Sequence, residues 1–329
     1  MQPNLIVRFR KWVVISIAIG ALLYLGGSVM ADIDRVSDAL QSFNWWILFP
    51  VCGLTLLNYA LRFVKWHYLL HRLEVDMPWG EDAWNFASGL AMVISPGKAG
   101  ELLKPYVVRE RTGTPMATTI PALVTERLTD GIAMLILAGL SVGVYAADKV
   151  HYLTIPAIII LFGLLVLAHE GLSLWCINIL SKLPGLNKVA DKLREMLTSM
   201  RTCVAPISLV WTILLSIIAW GAECWGYQLV FQGLGQDVGL DVCVFLYAFA
   251  TVAGGAMPGG LGVADGVLAG GAAALIPGIT QPMSVAAAIL VRICTLWIGV
   301  AIGAVALIKV SNMLGGIQLD ETPKEDASG

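Results

Sequence analysis

Two arginines stand inside otherwise apolar stretches of this chain: Arg127, between Glu126 and Asp130, and Arg292, about a third of the way into the run Met283 to Ile308. An arginine in hydrocarbon costs several kcal/mol unless it meets a carboxylate or faces water, so each one marks a place where charge is handled. Glu223 and Asp265 are the partners open to Arg292. Arg127 and Asp130 stand at i,i+3, a spacing that equally suits a structural clamp. Two glycine-rich turns could do chemistry with backbone alone: Pro96-Gly97-Lys98-Ala99-Gly100-Glu101, and Pro258-Gly259-Gly260-Leu261-Gly262 followed by Asp265. A helix starting after Gly97 or Gly262 points unpaired N–H groups and its positive dipole end at an anion such as a lipid phosphate. The glycines permit sharp turns and close approach, and Lys98 and Lys104 add positive charge at the first tip. Glu101 and Asp265 sit in first turns. There an acid can cap the helix, carry a coupling proton or meet a cationic headgroup.

Other chemistries lack their residues. Ser95-Pro96-Gly97-Lys98 misses the upstream glycine and following Ser/Thr of a P-loop, and Gly260-Leu261-Gly262 lacks the G-x-G-x-x-G spacing of a dinucleotide site. His67, His71 and Glu74 share a helical face, but no further ligand cluster accompanies them, so a juxtamembrane helix is expected rather than a metal site. The six cysteines are scattered, mostly in apolar runs, with no C-x-x-C pair, which suits small buried hydrophobes. No nucleophilic triad stands out. No cofactor, metal or nucleic-acid partner is expected.

What must position these groups is a membrane. A chain with 57% hydrophobic and 13% charged residues is not an ordinary soluble domain. The expected fold is all-α and polytopic, with about six transmembrane helices of ~20 residues and two re-entrant helical hairpins. The hairpins fall at about 82–111 and 242–276, where an apolar run too short to cross is broken by Pro and Gly and then resumed. The spans read Trp12 to Met30, Ile47 to Val64, Leu128 to Ala146 (after a short helix, Met116 to Thr125), Leu153 to Ala168, Pro206 to Phe231, and Met283 to Ile308. An amphipathic helix at about 184–201 suits the headgroup plane. The transmembrane domain occupies 1–312, and a disordered cytoplasmic tail occupies 313–329.

Basic residues support this layout. With the N-terminus inside, the cytoplasmic face collects Arg8, Arg10, Lys11, Lys65, Arg72, Arg109, Arg111, the basic amphipathic helix and Lys309, while Arg35 and Lys149 remain outside. Both termini are then cytoplasmic. Three crossings separate the hairpins, so they enter from opposite faces as an inverted repeat, the arrangement that places a binding site between two broken helices.

With Pro96-Gly97-x-x-Gly100-Glu101-x-x-Lys104-Pro105, Glu126-Arg127-x-x-Asp130 and Pro258-Gly259-Gly260-Leu261-Gly262 in hand, the chain resembles, over roughly 5–312, the flippase-like transmembrane domain of bacterial lysylphosphatidylglycerol synthetases (multiple peptide resistance factors) and their stand-alone relatives. The resemblance implies movement of lipids with charged or sugar-bearing headgroups between leaflets. Carried over by position, Lys98, Glu101, Lys104, Arg127, Asp130, Asp265 and Arg292 would line the headgroup path. Asp265 stands where many relatives carry Glu, and Lys104 where Arg is common, so headgroup choice is open to difference. The aminoacyl-transferase domain is not in this sequence, so lipid aminoacylation by this chain alone is not expected.

The resulting expectation is a lipid translocase of the inner membrane for a phosphate-bearing lipid. A polyprenyl-phosphate-linked sugar is the alternative substrate. An intramembrane lipid-modifying enzyme, or a membrane partner of a separate synthase, is the alternative class. Membrane lipids are the expected partners, with a second copy of the chain or a lipid synthase as further candidates. No sequence feature encodes ATP use, so transport would run down a gradient or couple to protons through Glu101, Glu126, Glu223 or Asp265.

Overall fold

A computed structural model describes residues 25–26, 32–95, 100–145, 150–182, 187–255 and 257–314. The expected first span lies almost wholly outside them, as do Pro96, Gly97 and Lys98 at the first tip and the tail beyond 314. Among the described residues every regular element is helical. Three helices among the described residues are long and apolar enough to cross a membrane: Trp45–Arg72, Pro206–Gly233 and Gln281–Met313. A bent pair, Ala157–Leu167 with Glu170–Ser181, would be a fourth if it forms one span.

The long pair at the centre is α2 (Leu48–Arg72, entered through a 3-10 turn at Trp45–Ile47) and α9 (Pro206–Gly233). They run antiparallel. At one end Tyr68 Oη lies 3.2 Å from Ser208 Oγ, and at the other the Asn44 N–H donates to the Gly233 carbonyl at 2.9 Å. Each long helix is followed by a broken pair. After α2 come α3 (Trp79–Ala91), a 3-10 turn (Met92–Ile94) and α4 (Leu103–Thr112). After α9 come α10 (Leu240–Ala253), a 3-10 turn (Pro258–Gly260) and α11 (Val263–Leu275). Because α2 and α9 are antiparallel, the two broken pairs start from opposite ends of the bundle. The open ends of the first are tied together, with Arg111 Nε and Nη2 donating to Glu81 at 2.8 and 2.7 Å.

The breaks meet in the middle. Ile94 of the first and Leu296 pack on Gly259 of the second, where a Cβ would come within 3.3 Å of either side chain. Gly259 has φ 59° and Gly262 φ 83°, left-handed values that a side chain strains, so glycine is what lets this tip fold. Each pair is then followed by a long helix: α5 (Met116–Tyr145) after the first, and α12 (Gln281–Arg292), a π turn (Ile293–Trp297) and α13 (Ile298–Met313) after the second. The packing is exchanged: α3 lies against α13, and α10 against α5. At the α3–α13 crossing, a Cβ on Gly303 would sit 2.3 Å from the Ala91 nitrogen. Gly303→Ala is therefore expected to push the helices apart and cost about 1–3 kcal/mol. A lowered thermal midpoint in detergent would show this, with Gly139→Ala, which meets nothing within 4 Å, as the neutral control.

Several expectations change. The short helix before Leu128 is not separate: α5 runs unbroken through Pro121. Proline forfeits one backbone hydrogen bond, and the charges at 126–130 find partners on other helices instead of ending the helix. The helix at the expected fourth span, α6 (Val150–Ala168), is followed after a 104° bend by α7 (Glu170–Ser181), a stretch given no element above. The amphipathic helix is α8 (Asn187–Cys203), which packs along α5 and α7. A short helix, α1 (Ile33–Gln41), lies against α12 in the expected outer loop. Lys65, counted above among loop charges, is fully buried.

Candidate functional site

On α2 the residues Asn58, Arg62 and Lys65 recur at i, i+4 and i+7, so one face of an apolar helix carries polar groups inward. That face meets α5, whose single turn from 126 to 130 brings Glu126, Arg127 and Asp130 together. Lys65 Nζ donates to Asp130 Oδ1 at 2.5 Å and to Ser216 Oγ at 2.7 Å, and Ser216 donates to the same carboxylate oxygen at 3.0 Å. Arg62 lies 3.5 Å from Glu126 Oε1 and 3.7 Å from Asp130 Oδ2. Glu126 also accepts from Lys104 Nζ and Arg127 Nη2. Arg127 Nε is 3.4 Å from Glu101 Oε2. Four cations thus share three carboxylates, an arrangement that keeps buried charges satisfied away from water.

The second half is built on tip two. Arg292 Nε is 2.8 Å from Asp265 Oδ1, and Nη2 donates to the Gly259 carbonyl at 2.5 Å. Asp265 Oδ2 accepts the Gly262 N–H at 2.9 Å. One side chain therefore latches α12 to both sides of the tip, at the residue that opens the π turn. Such turns commonly mark functional positions because they re-aim the helix face. In the same turn the Thr295 carbonyl accepts from the Tyr59 hydroxyl. Glu223 of α9 stands between the two halves, with its Oε2 accepting from Tyr247 Oη at 2.9 Å.

Between the tips and these helices lies a cavity of about 460 Å³. Arg62, Glu101, Lys104, Glu126, Arg127 and Asp130 line one side, and Glu223, Tyr247, Gly259, Gly260 and Arg292 the other. Phe86, Leu90, Met134, Leu135 and Trp220 add apolar wall. Of the cations on the first side, Arg127 is the most open, with 28% of its side chain accessible against 11% for Arg62 and 3% for Lys104. Arg127 is thus placed to meet something in the cavity. Lys104, its ammonium 4.2 Å from the Trp66 ring centre, serves mainly to hold Glu126.

Among the residues singled out from sequence, Glu101, Lys104, Glu126, Arg127, Asp130, Glu223, Gly259, Gly260 and Arg292 all border this space. Asp265 stands behind Arg292, in contact with it. Lys98, Pro96 and Gly97 lie outside the described residues. The amides expected to be unpaired are partly taken: the Gly100 N–H donates to Ser95 Oγ at 2.8 Å, and the Gly262 N–H to Asp265. Asp265 therefore caps α11 and pairs Arg292 together. Arg62 falls near the end of the expected second span and Lys65 just past it, and neither is among the candidate site residues above. Their helical spacing with Asn58 was the signal that they face inward. His67, singled out for a metal face, has Nδ1 2.8 Å from Asp82 Oδ2 and stacks on Trp79, fastening α2 to the start of α3.

A family model described as the lysylphosphatidylglycerol synthase TM region matches residues 12–303. A relative from Methanothermobacter thermautotrophicus, described only as a UPF0104 membrane protein, is 21% identical over 319 residues, covering 89% of this chain and 94% of the relative.

Proposed function

This chain belongs to the family of the lysylphosphatidylglycerol synthase transmembrane region, and from that premise we propose that it is a lipid translocase of the cytoplasmic membrane. A phosphate-bearing headgroup passes through the charged cavity while its acyl tails stay in the bilayer. In this reading the broken pairs are re-entrant hairpins entering from opposite leaflets, in an inverted repeat of about six crossings with both termini cytoplasmic. The exchanged packing supports the repeat: α2 corresponds to α9, α3 to α10, α4 to α11, and α5 to the helix carrying Arg292. The antiparallel central pair supports entry from opposite faces.

The observation that carries the proposal is the cavity itself. It joins both tips, holds cations beside apolar wall, and presents Arg127 to whatever enters. Groups of that kind bind and release an anion without forming a bond to it, so the reading is transport rather than catalysis. Purified protein in liposomes with fluorescent phosphatidylglycerol tests it, by following loss of inner-leaflet protection from dithionite. The wild-type protein is expected to accelerate exchange, and Arg127→Ala to slow it about tenfold or more, as loss of a buried charge contact does. Equal rates for two well-folded proteins would remove the proposal.

A further inference from the structure

We propose that Glu223 is the proton site of the cavity, and that its protonation admits one phosphodiester headgroup; the inference rests on the translocase reading. Among the described residues, the charged groups lining the cavity are Arg62, Lys104, Arg127 and Arg292 against Glu101, Glu126, Asp130 and Glu223. Glu101, Glu126 and Asp130 each lie within 4 Å of at least one cation. Glu223 does not: its partner is the neutral hydroxyl of Tyr247, at 2.9 Å, and its surroundings leave 3% of it accessible. Behind the lining, Lys65 and Asp265 add one charge of each sign. The described charges therefore cancel when Glu223 is ionised and leave one positive charge when it is protonated.

That difference decides which ligand is favoured. A phosphodiester carries one negative charge. Entering with Glu223 ionised, it would leave a net charge away from water. Entering with a proton on Glu223, it leaves the described charges balanced, and in a low-dielectric site the balanced outcome wins. The titratable and charged groups near enough to act electrostatically on Glu223 are Tyr59 and Arg62 of α2, Cys224 of its own helix, Tyr247 of α10, Arg292 of α12 and Cys294 of the π turn. Arginines keep their charge at any working pH, and phenols and thiols are ordinarily neutral there. Glu223 is the member of this set placed to change charge. The proton comes from the face to which the cavity is open, and leaves with the headgroup at the other face.

Two readouts test this. Titrating detergent-solubilised protein with short-chain phosphatidylglycerol, in buffers of different ionisation enthalpy, is expected to show one proton taken up per lipid, and none for Glu223→Gln. In proteoliposomes carrying a pH dye, wild-type exchange should rise as pH falls, by at most about tenfold per pH unit, the limit for one titrating group. Glu223→Gln should then exchange lipid at a rate independent of pH and without proton movement, and Glu223→Asp should keep the dependence. The same pH profile in wild type and Glu223→Gln, or binding without proton uptake, would overturn the proposal. So would loss of lipid binding by folded Glu223→Gln at every pH, which would make the carboxylate a headgroup contact. Proton-linked binding without exchange would sink the translocase reading alone.

Discussion

Glu126→Ala is expected to destabilise the protein by about 3–5 kcal/mol, the penalty for leaving buried charge unpaired. Its carboxylate is wholly inaccessible and is shared by Lys104, Arg127 and Arg62. Without it, Asp130 and Glu101 remain to balance those three cations and Lys65. Asp130 is already engaged by Lys65 and Ser216. Thermal unfolding followed by tryptophan fluorescence in detergent measures the loss. Adding Lys104→Met should recover part of it, because one stranded cation is then gone, so the double variant should be more stable than the two single losses summed. A Glu126→Ala protein as stable as wild type would mean that these helices do not hold their charges in one buried network.

Arg292→Ala is expected to abolish most lipid exchange, by roughly a hundredfold, with a smaller loss of stability. The side chain holds Asp265 and the Gly259 carbonyl together, and its removal frees tip two from α12 while taking a cation from the cavity wall. Arg292→Lys should recover only part of the rate. A single ammonium keeps the charge but cannot fork to a carboxylate and a carbonyl as the planar guanidinium does. Dithionite-protected exchange in liposomes reads both variants. A folded Arg292→Ala protein exchanging lipid at the wild-type rate would show that the latch at the second tip is unrelated to transport.

The two substitutions separate two uses of buried arginine and carboxylate. In the first cluster the charges are shared many ways, and among its cations Arg127 opens most to the cavity. At the second tip one arginine makes one latch, and there stability and passage are coupled through a backbone turn of three glycines. A substrate phosphate entering between them would compete with carboxylates that already hold the guanidinium groups. Exchange of partners of this kind lets a site bind and release without a permanently unpaired charge.

Local chemistry, read along the chain, determined where helices break and which of them are apolar. Proline and glycine at 96–100 and 258–262 act within a few residues, and an arginine in an apolar run announces a partner wherever the chain puts it. The breaks that separate α3 from α4 and α10 from α11 were therefore legible, as was the need of Arg127 and Arg292 for partners. Partner choice was not. Whether Arg292 pairs Asp265 or Glu223, whether Lys65 ends a span or joins Asp130, and whether α5 stops near Pro121 all depend on helices tens to hundreds of residues apart. Packing resolved them. α9 running antiparallel to α2 sets Ser216 beside Lys65 and Glu223 beside Tyr247, while Lys65 and Arg292 each take a carboxylate that the packed helices bring near rather than one adjacent in sequence.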